Sequence, residues 1–498
     1  MTNRIATGAF ILLTGSRLFA GNLDTIGVTR LRAAQPALDG SGILVTHPEA
    51  GNGLLQFEVA PAAVGRPESL FTWISPSGST NQFPNDVGAE SGHADQVGNI
   101  FYGPNGVATN VSHVDNYDAD YFLGSYVRAE QSTPGLVVNQ SFVDPNMADQ
   151  SSLDTSYDDY VTLYGTIFCS SVGDGGGIYP PATAYNSMGV GSYGIGTQTS
   201  VGPTSDGRSK PDLVAPAPAT SYSSPYVSGA AAVLLQAVNR GDAGAGASAA
   251  RDARTMKAVL LNGAIKPYNW SHTPTAPLDT QYGAGVLNIY YSYAQLAAGQ
   301  HAPSAANSSS QPLHSSPISS LLGWDQRTLT GVLLNPAVNH YCFTVTNGPA
   351  FTFTATLVWE LTATSLNQLT LSLYNFTDAS LVAQSVSAVD NVQCLYVAHL
   401  PPGQYDLQVA RSSEGSDVYS VAYQFFPIAP LPLSIQAQGT ALTVSWPATP
   451  TIYTLQQAAS LTAPISWSTA PAMQLLTNGD VVVSLSAGTS PNFYRLIR

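Results

Sequence analysis

Ser221 stands where a short apolar strand gives way to a helix, in GRSKPDLVAPAPATSYSSPYVSGAAAVLLQ (residues 207–236). Leu213, Val214 and Ala215 read as the strand, which breaks at Pro216 and Pro218. Pro225 falls near the start of the helical run, where a missing N–H costs little. Gly229 to Ala232 carry so little bulk that the helix is suited to a crowded core. Ser221 therefore sits at or just before a buried helix N-terminus, whose unpaired N–H groups and dipole favour developing negative charge. A hydroxyl there either caps the helix or attacks a carbonyl whose oxyanion the helix end stabilises. His93, among small residues in Ser91-Gly92-His93-Ala94-Asp95-Gln96, is the side-chain type that accepts a proton near neutral pH. Glu49 follows the strand at residues 43–46 and precedes Gly51. A doubly wound sheet collects its site residues at such strand C-termini.

DGRSKPDLVAP followed by TSYSSPYVSGAAA resembles the nucleophile segment of the subtilisin-like serine proteases, GRxKPDxxAPG and then GTSxAxPxVAGAAA. Ala217 and Ala219 replace two glycines of that pattern, and the loop between its halves is short. The resemblance implies an α/β fold with a doubly wound, mostly parallel sheet, and makes Ser221 the nucleophile. Residues 91–99 are similar to the family's GHGTHVAG, with Ala94, Asp95 and Gln96 for Gly, Thr and His, which implies His93 as general base. Glu49-Ala50-Gly51 stands where the family has Asp-(Ser/Thr)-Gly, so Glu49 is the expected orienting acid. Glu is one methylene longer than Asp, so its backbone must sit slightly further back. His47 reads as a surface or hydrogen-bonded histidine rather than the base.

Residues 166–174 (TIFCSSVGD) read as a strand entering a glycine-rich turn. The family has AAGN here, and its Asn amide donates to the oxyanion; this chain has Asp174. A carboxylate repels an oxyanion when ionised and donates only when protonated. The sedolisins, a related family of acid-active serine peptidases, also place Asp at this position, with a glutamate rather than a histidine as base. Residues 136–142 (LVVNQSF) have the composition of a buried parallel strand, and the family counterpart makes Ser141 and Phe142 candidates for pairing with a bound peptide. PATAYN with GVG, and QYGAGVLN, match later segments of the family pattern, so the resemblance runs in order from about residue 30 to 300. The lead-in at residues 24–38 and the stretch 249–264 read as helices. Residues 106–108 match the strand after the histidine helix, and 68–86 reads as an inserted loop or hairpin. In DNYDADYF (residues 115–122) calcium binding is possible, but the spacing is not that of a calcium loop, and a solvated helix face is the expectation. No cofactor is implied.

Among 498 residues only 10% are charged, and the net charge of −14 disfavours nucleic acid and anionic membrane surfaces as partners. The 44 Gly, 34 Pro and 25 Tyr describe a turn-rich, secreted chain. Residues 1–21 read as a signal peptide, with Arg4, an apolar run and Ala20, although Arg17 and Leu18 fit its cleavage region poorly. Nothing later is long and apolar enough to span a bilayer. Three cysteines make no disulfide framework; Cys342 and Cys394 lie in strand-like stretches of one region and could pair, while Cys169 reads as a small buried hydrophobe.

These patterns divide the chain into a peptidase domain (22–300), a Ser/Pro linker (301–318), an antiparallel jelly-roll-like sandwich (319–427) and a small β module (428–498). The expected function is that of a secreted, monomeric serine endopeptidase acting on polypeptides. The alternatives are a protease scaffold kept as a binding or cell-surface module, motivated by Glu49 and Asp174, and an adhesin led by the β modules.

Overall fold

Residues Val137–Gln140, Ile167–Ser171, Met188–Tyr193 and Leu213–Pro216 are buried at every position. Such burial is what a parallel sheet covered on both faces requires. A computed structural model of the chain describes residues 21–51, 55–146, 152–331, 337–346, 348–362, 366–411, 414–486 and 492–498. The proposed signal peptide lies outside them, apart from Gly21. Eight strands form the main sheet: β1 (Leu44–Glu49), β2 (Phe71–Ser75), β3 (Gly78–Thr80), β4 (His113–Asp118), β5 (Val137–Gln140), β6 (Ile167–Ser171), β7 (Met188–Tyr193) and β8 (Leu213–Pro216). Their order is β8-β7-β6-β5-β1-β4-β2-β3. Every pairing is parallel except the β2–β3 hairpin. The chain reverses its direction of travel across the sheet at β1, which has β4 on one side and β5 on the other. Open α/β sheets place their ligands beyond the strand C-termini at such a reversal. Glu49 ends β1, and Ser141 follows β5.

The helices that carry or support the site are α1 (Val28–Ala34), α2 (Gly92–Phe101), α3 (Ser152–Tyr164), α4 (Thr220–Arg240), α5 (Ala253–Asn262) and α6 (Ile289–Ala298). Helix α4 crosses the core, and its small residues have a specific use. A Cβ on Gly229 would lie 2.5 Å from Val107 Cβ, so only glycine admits that approach.

The C-terminal half is antiparallel. A five-stranded sheet (Ala305–Ser308, Ala337–Val345, Gly403–Arg411, Leu369–Asn375, Leu381–Ser385) faces a four-stranded one (Leu322–Gly331, Gly415–Pro427, Phe351–Trp359, Val392–Leu400). Phe343, Leu371 and Leu407 of the first share one core with Phe353, Leu357 and Tyr423 of the second. Residues 434–497 add a four-stranded and a three-stranded sheet. The four-stranded face of the sandwich also joins the peptidase core, where Val358, Val392, Cys394 and Ala422 belong to the same apolar cluster as Met256 and Leu260 of α5.

Several local expectations are corrected. The segment at 68–86 does hold a hairpin, β2–β3, but it belongs to the main sheet: β2 pairs with β4, and Trp73 is fully buried. Residues 106–108 are not a strand; the strand after α2 is β4. Asp115 and Asp118 belong to β4 and are buried rather than lying on a solvated helix face. The proposed linker contains the strand Ala305–Ser308, paired with Ala337–Val345. Cys342 and Cys394 are both free. They lie on strands of opposite sheets, and Cys342 Sγ donates to the Leu313 carbonyl at 3.1 Å.

The sequence GRSKPD builds a buried ionic platform. Asp212 accepts from Lys210 Nζ at 2.6 Å and from the Gly189 N–H at 2.7 Å, and lies 2.9 Å from Lys257 Nζ. The Ser209 N–H donates to Asp390 of the sandwich at 2.7 Å. Breaking a buried pair strands the partner charge. Asp212→Asn is accordingly expected to lower the unfolding free energy by about 3–5 kcal/mol, read from the urea midpoint at unchanged slope.

Candidate active site

The start of α4 lacks its own hydrogen-bonding partners, and neighbouring strands supply them. Ala219 is the N-cap residue, with φ −143° and ψ 156°. That is extended backbone open to any residue, so alanine replaces the family's glycine without strain. Alanine has no capping oxygen; Asp174 Oδ1 takes the place of one, accepting from the Thr220 N–H at 2.7 Å and Thr220 Oγ1 at 2.8 Å. Ser221 is the second helical residue, so it is not the cap. Four residues on, Pro225 has no N–H to give the Ser221 carbonyl. Ser141 Oγ donates to that carbonyl instead, at 2.7 Å. Ser171 Oγ donates to the Thr220 carbonyl at 3.1 Å, and Ser224 Oγ to the Cys169 carbonyl at 2.8 Å. The Ser221 N–H lies in the first turn, where no carbonyl of the helix can reach it.

Helix α2 brings His93 to the end of β1. Its N-cap, Ser91, accepts from the Ala94 N–H, which fixes the turn bearing the histidine. His93 Nδ1 lies 2.6 Å from Glu49 Oε1, leaving Nε2 as the ring nitrogen not engaged by that carboxylate. Burial alone would raise the Glu49 carboxyl, but the hydrogen bonds and charges of His47 and His93 outweigh it and hold it below the ordinary value. Burial alone would lower His93; the hydrogen bond and charge of Glu49, with the charge of Asp174, raise it above the ordinary imidazole value. The Tyr222 ring lies against the imidazole, with centroids 5.5 Å apart.

His93 and Glu49 are thus brought together, and Thr220, Ser221 and Tyr222 are held beside them. Among the described residues, Ser221 Oγ has no hydrogen bond to His93; catalytic hydrogen bonds are often long before substrate binds. Asp174 is exposed. With Oδ1 occupied as an acceptor, only its Oδ2 is left for an oxyanion, and only while it carries a proton. Ser141, expected to line a bound peptide, turns its side chain inward onto Ser221. Phe142 is half-buried just beyond β5. His47 is the hydrogen-bonded histidine of the two alternatives, not a surface one: it is fully buried, its Nδ1 lies 2.9 Å from Tyr102 OH, and its Nε2 lies 3.6 Å from Glu49 Oε2. The signal for that contact was available, because residues two apart on a strand share a face. Tyr222 carried no such signal. No group of three His, Cys, Asp or Glu able to hold a metal occurs among the described residues.

A mostly parallel sheet, a serine at the head of a buried central helix, and a histidine on the helix after β1 make up a subtilisin-like α/β arrangement. Residues 124–288 match the model of Peptidase_S8, the subtilase family, which bears out the resemblance read from the sequence motifs. No curated protein matches the chain in sequence. Among solved structures, the chain is similar to fervidolysin from Fervidobacterium pennivorans, described as a keratinolytic enzyme related to subtilisin. There the identity is 12% over 95% of this chain and 79% of that one, with a TM-score of 0.37. The epidermin leader peptide processing protease EpiP from Staphylococcus aureus gives 15% identity over 58% and 82%, with a TM-score of 0.37. Tripeptidyl peptidase 2 gives 13% identity over 75% of this chain, which spans 44% of that protein's length, with a TM-score of 0.34.

Two outcomes follow from this geometry. Glu49→Gln removes the charge that raises His93, so the imidazole should titrate at lower pH than in the unsubstituted protein, as read from its ring-proton NMR shifts. Ser141→Ala leaves the Ser221 carbonyl without its donor, a loss of about 1–3 kcal/mol. Thermal unfolding should show that loss.

Proposed function

We propose that the chain is a secreted serine endopeptidase. The 2.6 Å contact between His93 Nδ1 and Glu49, beside the helix turn that carries Ser221, is the observation that supports it most. In this reading Ser221 Oγ attacks the peptide carbonyl and His93 Nε2 takes its proton. Glu49 holds the imidazole in the required tautomer and offsets the imidazolium. The Ser221 N–H and the positive end of α4 receive the oxyanion. His93 then returns the proton to the leaving amine, and water repeats the sequence on the acyl-enzyme. The signal-like segment at 1–21 is the basis for export, and polypeptides are the substrate class. Labelling by a fluorophosphonate, abolished by Ser221→Ala, tests the assignment. A folded protein that never labels, at any pH where it stays folded, overturns it.

A catalytically impaired scaffold is the second reading, and Asp174 favours it. His93 works neutral, and Asp174 aids the oxyanion only when protonated, so the two requirements pull toward opposite ends of the pH range. Asp174→Asn supplies a permanent amide donor, and one such donor carries about 10²–10³ in turnover. The substitution should raise peptidase activity at neutral pH by about that factor. It also removes a charge that raises His93, so the acid limb of the profile should move to lower pH. No cleavage by either form, at any pH, favours the binding scaffold.

A further inference from the structure

The most exposed large apolar side chains of the described residues are Ile195 (76%) and Met473 (71%). Both line one cleft of about 360 Å³. One wall is the loop after β7, residues 192–197; the other is residues 473–475 of the C-terminal β module, with Tyr268 and Tyr282 between them. None of its lining residues is charged. Isolated exposed hydrophobes are ordinary on a protein surface. Two that line the same uncharged cleft, with Leu475 and the tyrosines beside them, present a surface suited to an apolar group.

The cleft is built rather than incidental. Tyr193 OH accepts from the Leu476 N–H at 3.0 Å. Tyr193, Val214 and Ile265 share an apolar cluster with Ala448 and Leu476 of the C-terminal module. The strand Gln474–Thr477 pairs with Asp480–Ser486, so Met473 projects from an anchored edge. One hydrogen bond ties the loop that lines the cleft to the segment leading into Ser221. The Gln198 N–H donates to the Pro218 carbonyl at 2.8 Å, and Pro218 is three residues from Ser221. Chain lengths therefore put the cleft wall no more than about 20 Å from Ser221, which an extended peptide covers in about six residues. Across the strand ends, Ser141 and Phe142 follow β5 on one flank of Ser221, while the cleft opens beyond β7 on the other. A peptide whose acyl half lies along Ser141 and Phe142 carries its leaving half toward Ile195 and Met473.

We infer that this cleft is a subsite for an apolar side chain on the leaving-group side of a peptide cleaved at Ser221, with its outer wall supplied by the C-terminal module. The inference rests on the peptidase reading above. Met473 is flexible and polarizable, so the subsite accepts leucine, methionine or phenylalanine rather than one shape. A charged side chain finds no opposite charge among the lining residues and is disfavoured by its desolvation cost.

Internally quenched peptides test this, carrying leucine, glycine or lysine in turn at each of the six positions after the scissile bond. At one of those positions kcat/KM should favour leucine over glycine by about tenfold and disfavour lysine. Met473→Asp should cut the leucine preference to near unity and admit lysine, while its melting temperature reports that the fold is kept. Absence of a leucine preference, or one that survives both Met473→Asp and Ile195→Asp, overturns the inference. Fluorophosphonate labelling reads the peptidase assignment separately, so a protein that labels but shows no such preference overturns the subsite alone. If Ser221 does not label, anisotropy of the same peptides, fluorescein-tagged, still decides the cleft. Leucine-selective binding lost in Met473→Asp supports an apolar peptide subsite, and equal binding of all three peptides overturns it. A concentration-dependent dimer abolished by Met473→Asp, without peptide selectivity, identifies a second copy as occupant and also overturns it.

Discussion

The first turn of helix α4 cannot satisfy its own backbone, and much of the surrounding architecture answers that need. Ala219 brings no capping oxygen, and Pro225 withholds the N–H that the Ser221 carbonyl would otherwise receive. Ser171 and Asp174, at and just after the end of β6, and Ser141 just after β5, bond to this turn from two neighbouring strands. Each is the C-terminal end of a sheet strand or the residues just after it, so the sheet fixes the helix start directly. Small hydroxyls suit this role because they reach a carbonyl without filling the space a substrate needs. The geometry at Ser221 is held in part by Ser141 and Ser171, to which the proposed reaction gives no chemical role.

Proton bookkeeping at the site follows from the same crowding. Glu49 sits between two histidines, with one oxygen 2.6 Å from His93 and the other 3.6 Å from His47. Burial would neutralise the carboxyl, and the histidines keep it ionised. His93 in turn feels Glu49 and Asp174 together, which favours its charged form. The site therefore stabilises an imidazolium, the species a general base becomes when it has taken the serine proton. The cost is that the resting histidine also holds a proton to higher pH.

The segment around Ser221 was legible because its residues are constrained for several reasons at once. KPD builds a buried ion cluster, Gly229 meets Val107, and Ser221 occupies the helix start. His93 and Glu49 could be read from frame and strand-end position. What could not be read was long-range. Nothing local tells that Asp174 would cap a helix 46 residues away, or that Tyr222 would lie on His93. The run at 115–122 read as a solvated helix face, but its first half is strand β4, which buries Asp115 and Asp118; only Asp120 is exposed. Cys342 and Cys394 shared a region and strand-like surroundings, yet sheet topology separates them. At residues 68–86 a hairpin could be read, but not that its first strand would join the main sheet beside β4.

The apolar cluster that runs from α5 into the sandwich has a consequence for how the chain could have been assembled or trimmed. Val358, Val392, Cys394 and Ala422 are buried against the α/β half, not merely tethered to it. Thr255 Oγ1 and Ser420 Oγ meet across the same boundary at 2.8 Å. Cutting the chain between the halves would bare a greasy helix face on one piece and a sheet face on the other. A truncated α/β half would be a sticky fragment rather than a smaller working unit. A gene fusion that exchanged the sandwich would have to bring a matching face with it.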